Sequence, residues 1–131
     1  MKNVLFVCVH NSGRSQMAEA FFNRLAEGRA TAASAGSQPD DAVDPTVVEV
    51  MREVGVDISG KVPRRLVPEI VDAADRVVIM GCGVETACPV TFVETEDWGL
   101  DDPKGQPIEV VRRIRDEIRA RVENLIGELN P

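Results

Sequence analysis

Val4-Leu5-Phe6-Val7-Cys8-Val9 runs into His10-Asn11-Ser12-Gly13-Arg14-Ser15. The first part is short, apolar and β-branched, and polar residues bound it, which predicts a buried strand over 4–9. Asn, Ser and Gly then break the strand. From Ser15 to Leu25 the apolar residues Met17, Ala18, Phe21, Phe22 and Leu25 recur at helical spacing, with Glu19, Asn23 and Arg24 as polar relief. The opening therefore reads as strand, tight loop, helix. A loop in that setting can point its backbone N–H groups at one anion, and the helix N-terminus adds partial positive charge. Cys8 begins the loop as a nucleophile whose thiolate this field favours. Arg14 can offer a tetrahedral oxyanion two parallel donors. Ser15 can donate to the thiolate, Asn11 can brace the loop through backbone contacts, and Gly13 is expected to take a conformation closed to most residues. Val9, His10, Asn11, Ser12, Gly13, Arg14 and Ser15 are thus the candidate anion-binding residues. The plain alternative is a buried strand cysteine before an ordinary turn.

The same alternation continues. A second strand is expected at 31–35. Asp44-Pro45 starts a helix, a capping acid followed by proline at the first helical position, and Gly55 ends it. A short helix is expected at 67–73, a third strand at 76–80 and a shorter fourth at 91–93. A last helix opens at Pro107 or Ile108 and reaches about Leu129, with Val111, Ile114, Ile118, Val122 and Ile126 on its apolar face. Strands alternating with helices predict an α/β fold in three layers, helices on both faces of a central four-stranded parallel sheet. Ligands in such sheets bind beyond the carboxyl ends of the strands.

The chain is 131 residues, 44% hydrophobic and 28% charged, which fits one domain over residues 1–131. A net charge of −7 argues against binding a nucleic-acid backbone, but not against one locally positive pocket for a small anion. The opening apolar run is too short for a secretory signal, and no stretch approaches the roughly 18 apolar residues of a membrane span. A cytoplasmic protein is expected, and a monomer. The 3 cysteines cannot all pair within one chain, so packing, metal binding or redox chemistry is left.

Cys82 and Cys88 lie in Gly81-Cys82-Gly83-Val84-Glu85-Thr86-Ala87-Cys88-Pro89, just after the third strand. They can pair if the segment bends back, because a disulfide needs Cα atoms within about 7 Å. Three cysteines and the single His10 also suffice in number for zinc, but no Cys-x-x-Cys pair is present and the first loop suits an anion better, so no metal is expected. His10 tempts as a general base, yet a cysteine ionised by its loop needs none. Downstream, Glu94 to Asp102 is read as an acidic loop around Trp98. Pro103 restrains the residue before it, which makes Asp102 the candidate proton donor to a leaving oxygen, with Asp101 as fallback.

Together these motifs resemble the thioredoxin-coupled arsenate reductases, which share a fold with the low-molecular-weight protein tyrosine phosphatases. The resemblance spans essentially the whole chain. It rests on Cys8 through Arg14-Ser15, on Gln16-Met17-Ala18-Glu19, on Ser34-Ala35-Gly36, and on Trp98-Gly99-Leu100-Asp101-Asp102-Pro103. The absence of tyrosine and the presence of Cys82 and Cys88 point to the reductase branch. The resemblance implies a relay. Cys8 attacks arsenate held by the loop and Arg14, and Asp102 assists departure of an oxygen as water. Cys82 then attacks the adduct and releases arsenite, and Cys88 takes over the disulfide from Cys8. Thioredoxin, an external reductant rather than a bound cofactor, reduces the Cys82–Cys88 pair.

The sequence departs from its relatives in places. Val9-His10 stands where Thr-Gly is common, Gly13 where a further cysteine often stands, and the 82–88 spacing is one residue shorter. Some members bind potassium near the first loop. Asn11, Glu19 and Ser34 match three of those ligands, but Arg64 stands for the fourth, an aspartate, and is expected to supply the positive charge itself. Two other functions fit the same loop: a phosphomonoester or phosphotyrosine phosphatase using Cys8, Arg14 and Asp102, and an oxyanion-binding or redox-sensing protein without turnover.

Overall fold

The structure is a computed structural model that describes residues 2–80 and 94–129. The elements run β1 (Lys2–Cys8), α1 (Arg14–Leu25), β2 (Ala30–Gly36), α2 (Pro45–Glu53), α3 (Pro68–Asp72), β3 (Arg76–Ile79), β4 (Glu94–Asp97) and α4 (Ile108–Leu129). The described strands form one parallel sheet in the order β2-β1-β3-β4. The chain starts in the middle of the sheet, so β1 is flanked by strands on both sides, and each of its faces is buried in a core. That explains its unbroken apolar run, since a strand covered on both faces needs no polar alternation.

The period of two along β1 assigns its side chains to two cores. Val4, Phe6 and Cys8 join the larger core with α1, α2 and α4, whereas Leu5 and Val7 join a smaller one beneath α3. Phe6 centres the larger core, with ring centroids 6.1 Å from Phe22 and 5.7 Å from Trp98. The expected three-layer α/β/α arrangement is what the chain adopts.

Local sequence chemistry sets the helix ends. The Asp44 carboxylate accepts from the Thr46 N–H at 2.9 Å, with Pro45 at the first helical position of α2. At the other end Gly55 takes φ +80°, and the N–H groups of Gly55 and Val56 return to the carbonyls of Arg52 and Met51. That is a Schellman closure, which needs a left-handed residue and so favours glycine. The edge strand β2 is closed differently. Asn23 of α1 donates its side-chain amide to the Ala32 carbonyl at 3.1 Å and accepts the Ala32 N–H at 2.8 Å.

One expectation is corrected. Residues 94–97 are strand β4, not the start of an acidic loop. Acidic residues do not preclude this strand because it lies at the edge of the sheet among the described residues, where charges are tolerated and discourage further pairing. Trp98 follows directly, buried, with its N–H bonded to the Ile79 carbonyl at 2.8 Å. The strand expected at 91–93 lies outside the described residues, as do Cys82 and Cys88.

Candidate active site

Cys8 is the last residue of β1, and Arg14 is the first of α1. The loop between them is strapped from one side. The carbonyls of Val9, His10 and Ser12 accept the N–H groups of Gln38, Asp40 and Asp44 at 2.8, 2.9 and 2.9 Å. In a trans peptide the carbonyl and the next N–H point in opposite directions. The N–H groups of His10, Asn11 and Gly13 are therefore turned away from the 38–44 segment. The N-cap of α1 is Gly13, with no side-chain cap and no acid in the first turn. An anion is the natural partner for such a helix start.

The left-handed residue in the loop is Asn11, at φ 49°, and not Gly13, whose φ is −142°. Asparagine tolerates that region better than most residues do, and both ends of its side-chain amide are hydrogen-bonded there. Asn11 is completely buried. Its Nδ2 donates to Ser15 Oγ at 2.6 Å, and its Oδ1 accepts from the Arg64 N–H at 2.8 Å and Gln16 Nε2 at 3.1 Å. Ser15 Oγ lies 2.8 Å from Cys8 Sγ. With the Asn11 amide occupying one lone pair, the Ser15 hydroxyl hydrogen is available to the sulfur. Gly36, at the end of β2, is required by proximity. A Cβ there would stand 2.6 Å from the Val9 carbonyl oxygen and 2.9 Å from the Asn11 nitrogen.

Gly13 is also required by proximity rather than by conformation. A Cβ there would stand 2.9 Å from Pro103 Cγ. Pro103 belongs to the segment that carries Asp102, so the absent side chain lets that segment close on the loop. Arg14, only 5% exposed, joins the same two parts: Nη1 donates to the Leu100 carbonyl at 2.9 Å, and Nη2 faces Asp102 Oδ2 at 3.9 Å. The other Asp102 oxygen accepts the Lys104 N–H at 3.0 Å. Asp102 is half-exposed beside the arginine, whereas Asp101 is exposed with no described tie to the loop.

His10 is held by the 38–40 segment. Its Nδ1 lies 3.2 Å from the Gln38 carbonyl and 3.6 Å from Asp40 Oδ1. Asp40 is a junction that the sequence did not single out. Its Oδ2 accepts from Ser12 Oγ at 2.8 Å and from Lys104 Nζ at 3.4 Å. Desolvation pushes the Asp40 carboxyl up, but the Ser12 hydroxyl, Lys104 and His10 outweigh it and hold the group below its ordinary value. In sequence Asp40 is one acid in a loop after Pro39, with nothing local to distinguish it from a solvated charge.

The residues matching potassium ligands do not fit that ion here. Asn11 Oδ1 already accepts two N–H groups, and the buried Glu19 is held by the Ser34 hydroxyl at 3.0 Å and the Lys61 ammonium at 3.1 Å. The permanent charge at Glu19 is thus supplied by Lys61. Arg64 contributes its backbone N–H to Asn11, and its side chain is exposed. Lys61 carried no sequence signal, because it reaches Glu19 only through the fold.

A family model described as low molecular weight phosphotyrosine protein phosphatase matches residues 3–131. This chain belongs to that family. Within the low molecular weight phosphatase family, it is similar to arsenate reductases and, at 26% identity and a TM-score of 0.84, to an arginine phosphatase of Geobacillus stearothermophilus, covering 99% of this chain and 94% of that one. It is 43% identical to a glutaredoxin arsenate reductase of Synechocystis sp., over 99% of this chain and 100% of the relative. It superposes on a thioredoxin-dependent arsenate reductase of Corynebacterium glutamicum with a TM-score of 0.85 at 36% identity, covering 99% of this chain but 62% of that one. A solved arsenate reductase in the phosphate binding state matches with a TM-score of 0.83 at 41% identity, covering 98% of both chains. Among the described residues no helix is long and apolar enough to cross a membrane.

Proposed function

We propose that this chain reduces arsenate to arsenite through a cysteine relay and is returned to its thiol form by thioredoxin. The observation that carries the reading is the Cys8–Ser15 pair at the mouth of an uncapped helix, beside the buried Arg14, in a chain with two further cysteines. The Cys8 thiolate attacks arsenic(V), with the Ser15 hydroxyl donated to the sulfur. The loop N–H groups, the helix start and Arg14 hold the oxyanion. One arsenate oxygen leaves as water, and Asp102 provides the proton. The Cys82 thiolate then attacks Cys8 Sγ. The sulfur–arsenic bond breaks with its electron pair going to arsenic, which departs as arsenite(III), and a Cys8–Cys82 disulfide forms. Cys88 attacks Cys82, frees the Cys8 thiolate and leaves a Cys82–Cys88 disulfide. Two electrons from the thioredoxin dithiol restore both thiols. The chain acts as a cytoplasmic monomer with no bound metal or cofactor.

The test is arsenite production by the pure protein with thioredoxin, thioredoxin reductase and NADPH. Many arsenite molecules per chain are expected. Cys82→Ser should abolish turnover, and continued cycling by that variant would overturn the relay. Glutaredoxin with glutathione in place of thioredoxin decides between the two reductants that its relatives use. A second reading, phosphomonoester hydrolysis, is favoured by the Arg14–Asp102 approach of 3.9 Å, since the same nucleophile, anion holder and acid serve it. Fast aryl phosphate hydrolysis without arsenite production would select it.

A further inference from the structure

Arg14 has two tasks that compete. Its Nη1 holds the Leu100 carbonyl at 2.9 Å, and its Nη2 faces Asp102, yet the guanidinium is also the group that meets the oxyanion. A proton donor held mainly by the arginine would loosen when the arginine turned to substrate. The fold contains a second tie that does not involve Arg14. Lys104 Nζ reaches Asp40 Oδ2 at 3.4 Å, and the same oxygen accepts the Ser12 hydroxyl at 2.8 Å. The Asp40 N–H is bonded to the His10 carbonyl at 2.9 Å, so Asp40 is joined to the anion loop by both side chain and backbone. At the other end, the Lys104 N–H holds Asp102 Oδ1 at 3.0 Å. One residue therefore grips the candidate acid with its backbone and the anion loop, through Asp40, with its side chain.

We propose that Lys104 and Asp40 form a clasp that positions Asp102 over the Cys8 loop while Arg14 binds the oxyanion. This rests on the reading of Asp102 as proton donor. Lys104 is a positioning residue: it acts through Asp102 and touches neither arsenic nor sulfur. As an ordinary exposed ion pair, Lys104–Asp40 would contribute little to stability. Its effect belongs in the chemical step, because proton transfer to a leaving oxygen depends on where the acid is held.

The experiment is a double-mutant cycle on the pre-reduced protein, reading the rate of the first arsenite released at saturating arsenate. Lys104→Met is expected to slow that step about tenfold, a part of the roughly 10²–10⁴-fold that a placed proton donor contributes, while the arsenate concentration for half-maximal rate changes less than about twofold. Lys104→Arg should restore most of the rate. Asp40→Asn, which keeps an oxygen for Ser12 but loses the charge, should reproduce the loss. In an Asp102→Asn background Lys104→Met should add nothing, because its route runs through the missing carboxylate. The proposal is overturned by an unchanged rate in Lys104→Met, or by the same loss with and without Asp102. If Asp102→Asn alone proves as fast as the parent, the acid assignment fails, and that outcome is separate from failure of the clasp. Circular dichroism of each variant identifies unfolding, in which case Asp40→Asn and Lys104→Arg decide the matter.

Discussion

Pro103 packs against Gly13 so closely that a single methyl group on the glycine would stand 2.9 Å from the proline ring. The acid-bearing segment is thus seated directly on the N-cap of α1. Gly13→Ala should push Pro103 outward and Asp102 with it, because the proline ring has little freedom to yield. The expected outcome is a destabilisation of about 1–3 kcal/mol from overpacking and a slower first release of arsenite. Denaturant unfolding and single-turnover rates measure the two effects separately.

Ser15 stands between Asn11 and Cys8, accepting from one at 2.6 Å and lying 2.8 Å from the other. Removing the hydroxyl takes a hydrogen bond from the thiolate, the kind of bond to a charged group that is worth about 1.5–3 kcal/mol. Ser15→Ala, made with Cys82 and Cys88 replaced by Ser, should be alkylated by iodoacetamide at neutral pH more slowly, by less than the full hydrogen-bond energy because a less stabilised thiolate is also more nucleophilic. An equal alkylation rate would mean that the hydroxyl does not serve the sulfur.

The Asp44 cap ties two things at once: its side chain holds the Thr46 N–H, and its own N–H binds the Ser12 carbonyl at 2.9 Å. Asp44→Ala should cost about 1 kcal/mol of stability through the lost cap. The Ser12 contact is made by backbone and survives the substitution, so arsenite release should change far less than denaturant stability does.

Glu53 joins α2 to α4 through Arg112 and Arg115, at 2.8 Å from each. The hydrogen bond from Arg112 is the main cause that holds the Glu53 carboxyl below its ordinary value, with Arg115 adding to it against a smaller desolvation. A carboxylate depressed in the folded state stabilises above its unfolded pKa and loses that contribution as pH falls through the folded value. Glu53→Gln should therefore melt below the parent at pH 7. The gap should narrow as the pH drops below the ordinary glutamate range of about 4.3. A gap that stayed constant down to strong acid would rule out the charge as its source.

The centre of the fold was legible because β1, covered on both faces, is an unbroken apolar run, and because α1 repeats its apolar residues at helical spacing, although its first two turns are buried almost all round. The anion loop was legible for a related reason: Cys8, Arg14 and Ser15 sit where a strand meets a helix, and their chemistry is local. The edge of the sheet was not. Glu94–Asp97 forms its ladder to β3 with acidic side chains, so hydrogen bonding overrode a composition that reads as loop. The reason for a glycine at 13 was also misplaced. Sequence suggests conformational freedom, but the structure assigns the left-handed turn to Asn11 and gives Gly13 a contact with a residue far along the chain. Asp40, Lys61 and Lys104 escaped notice because each acts on the site across a long sequence separation, and no local pattern marks an exposed charge that will find such a partner.

The Asn23 amide that grips both the N–H and the carbonyl of Ala32 has a consequence for how copies of this chain behave when crowded. It imitates a neighbouring strand at a position where, among the described residues, no strand pairs with Ala32 on that side. An intruding peptide would have to evict this side chain before it could extend the sheet beside β2. Replacing Asn23 with leucine would leave the thiol chemistry in place and open a two-bond notch in the flank of the sheet, a foothold from which molecules could begin to stack.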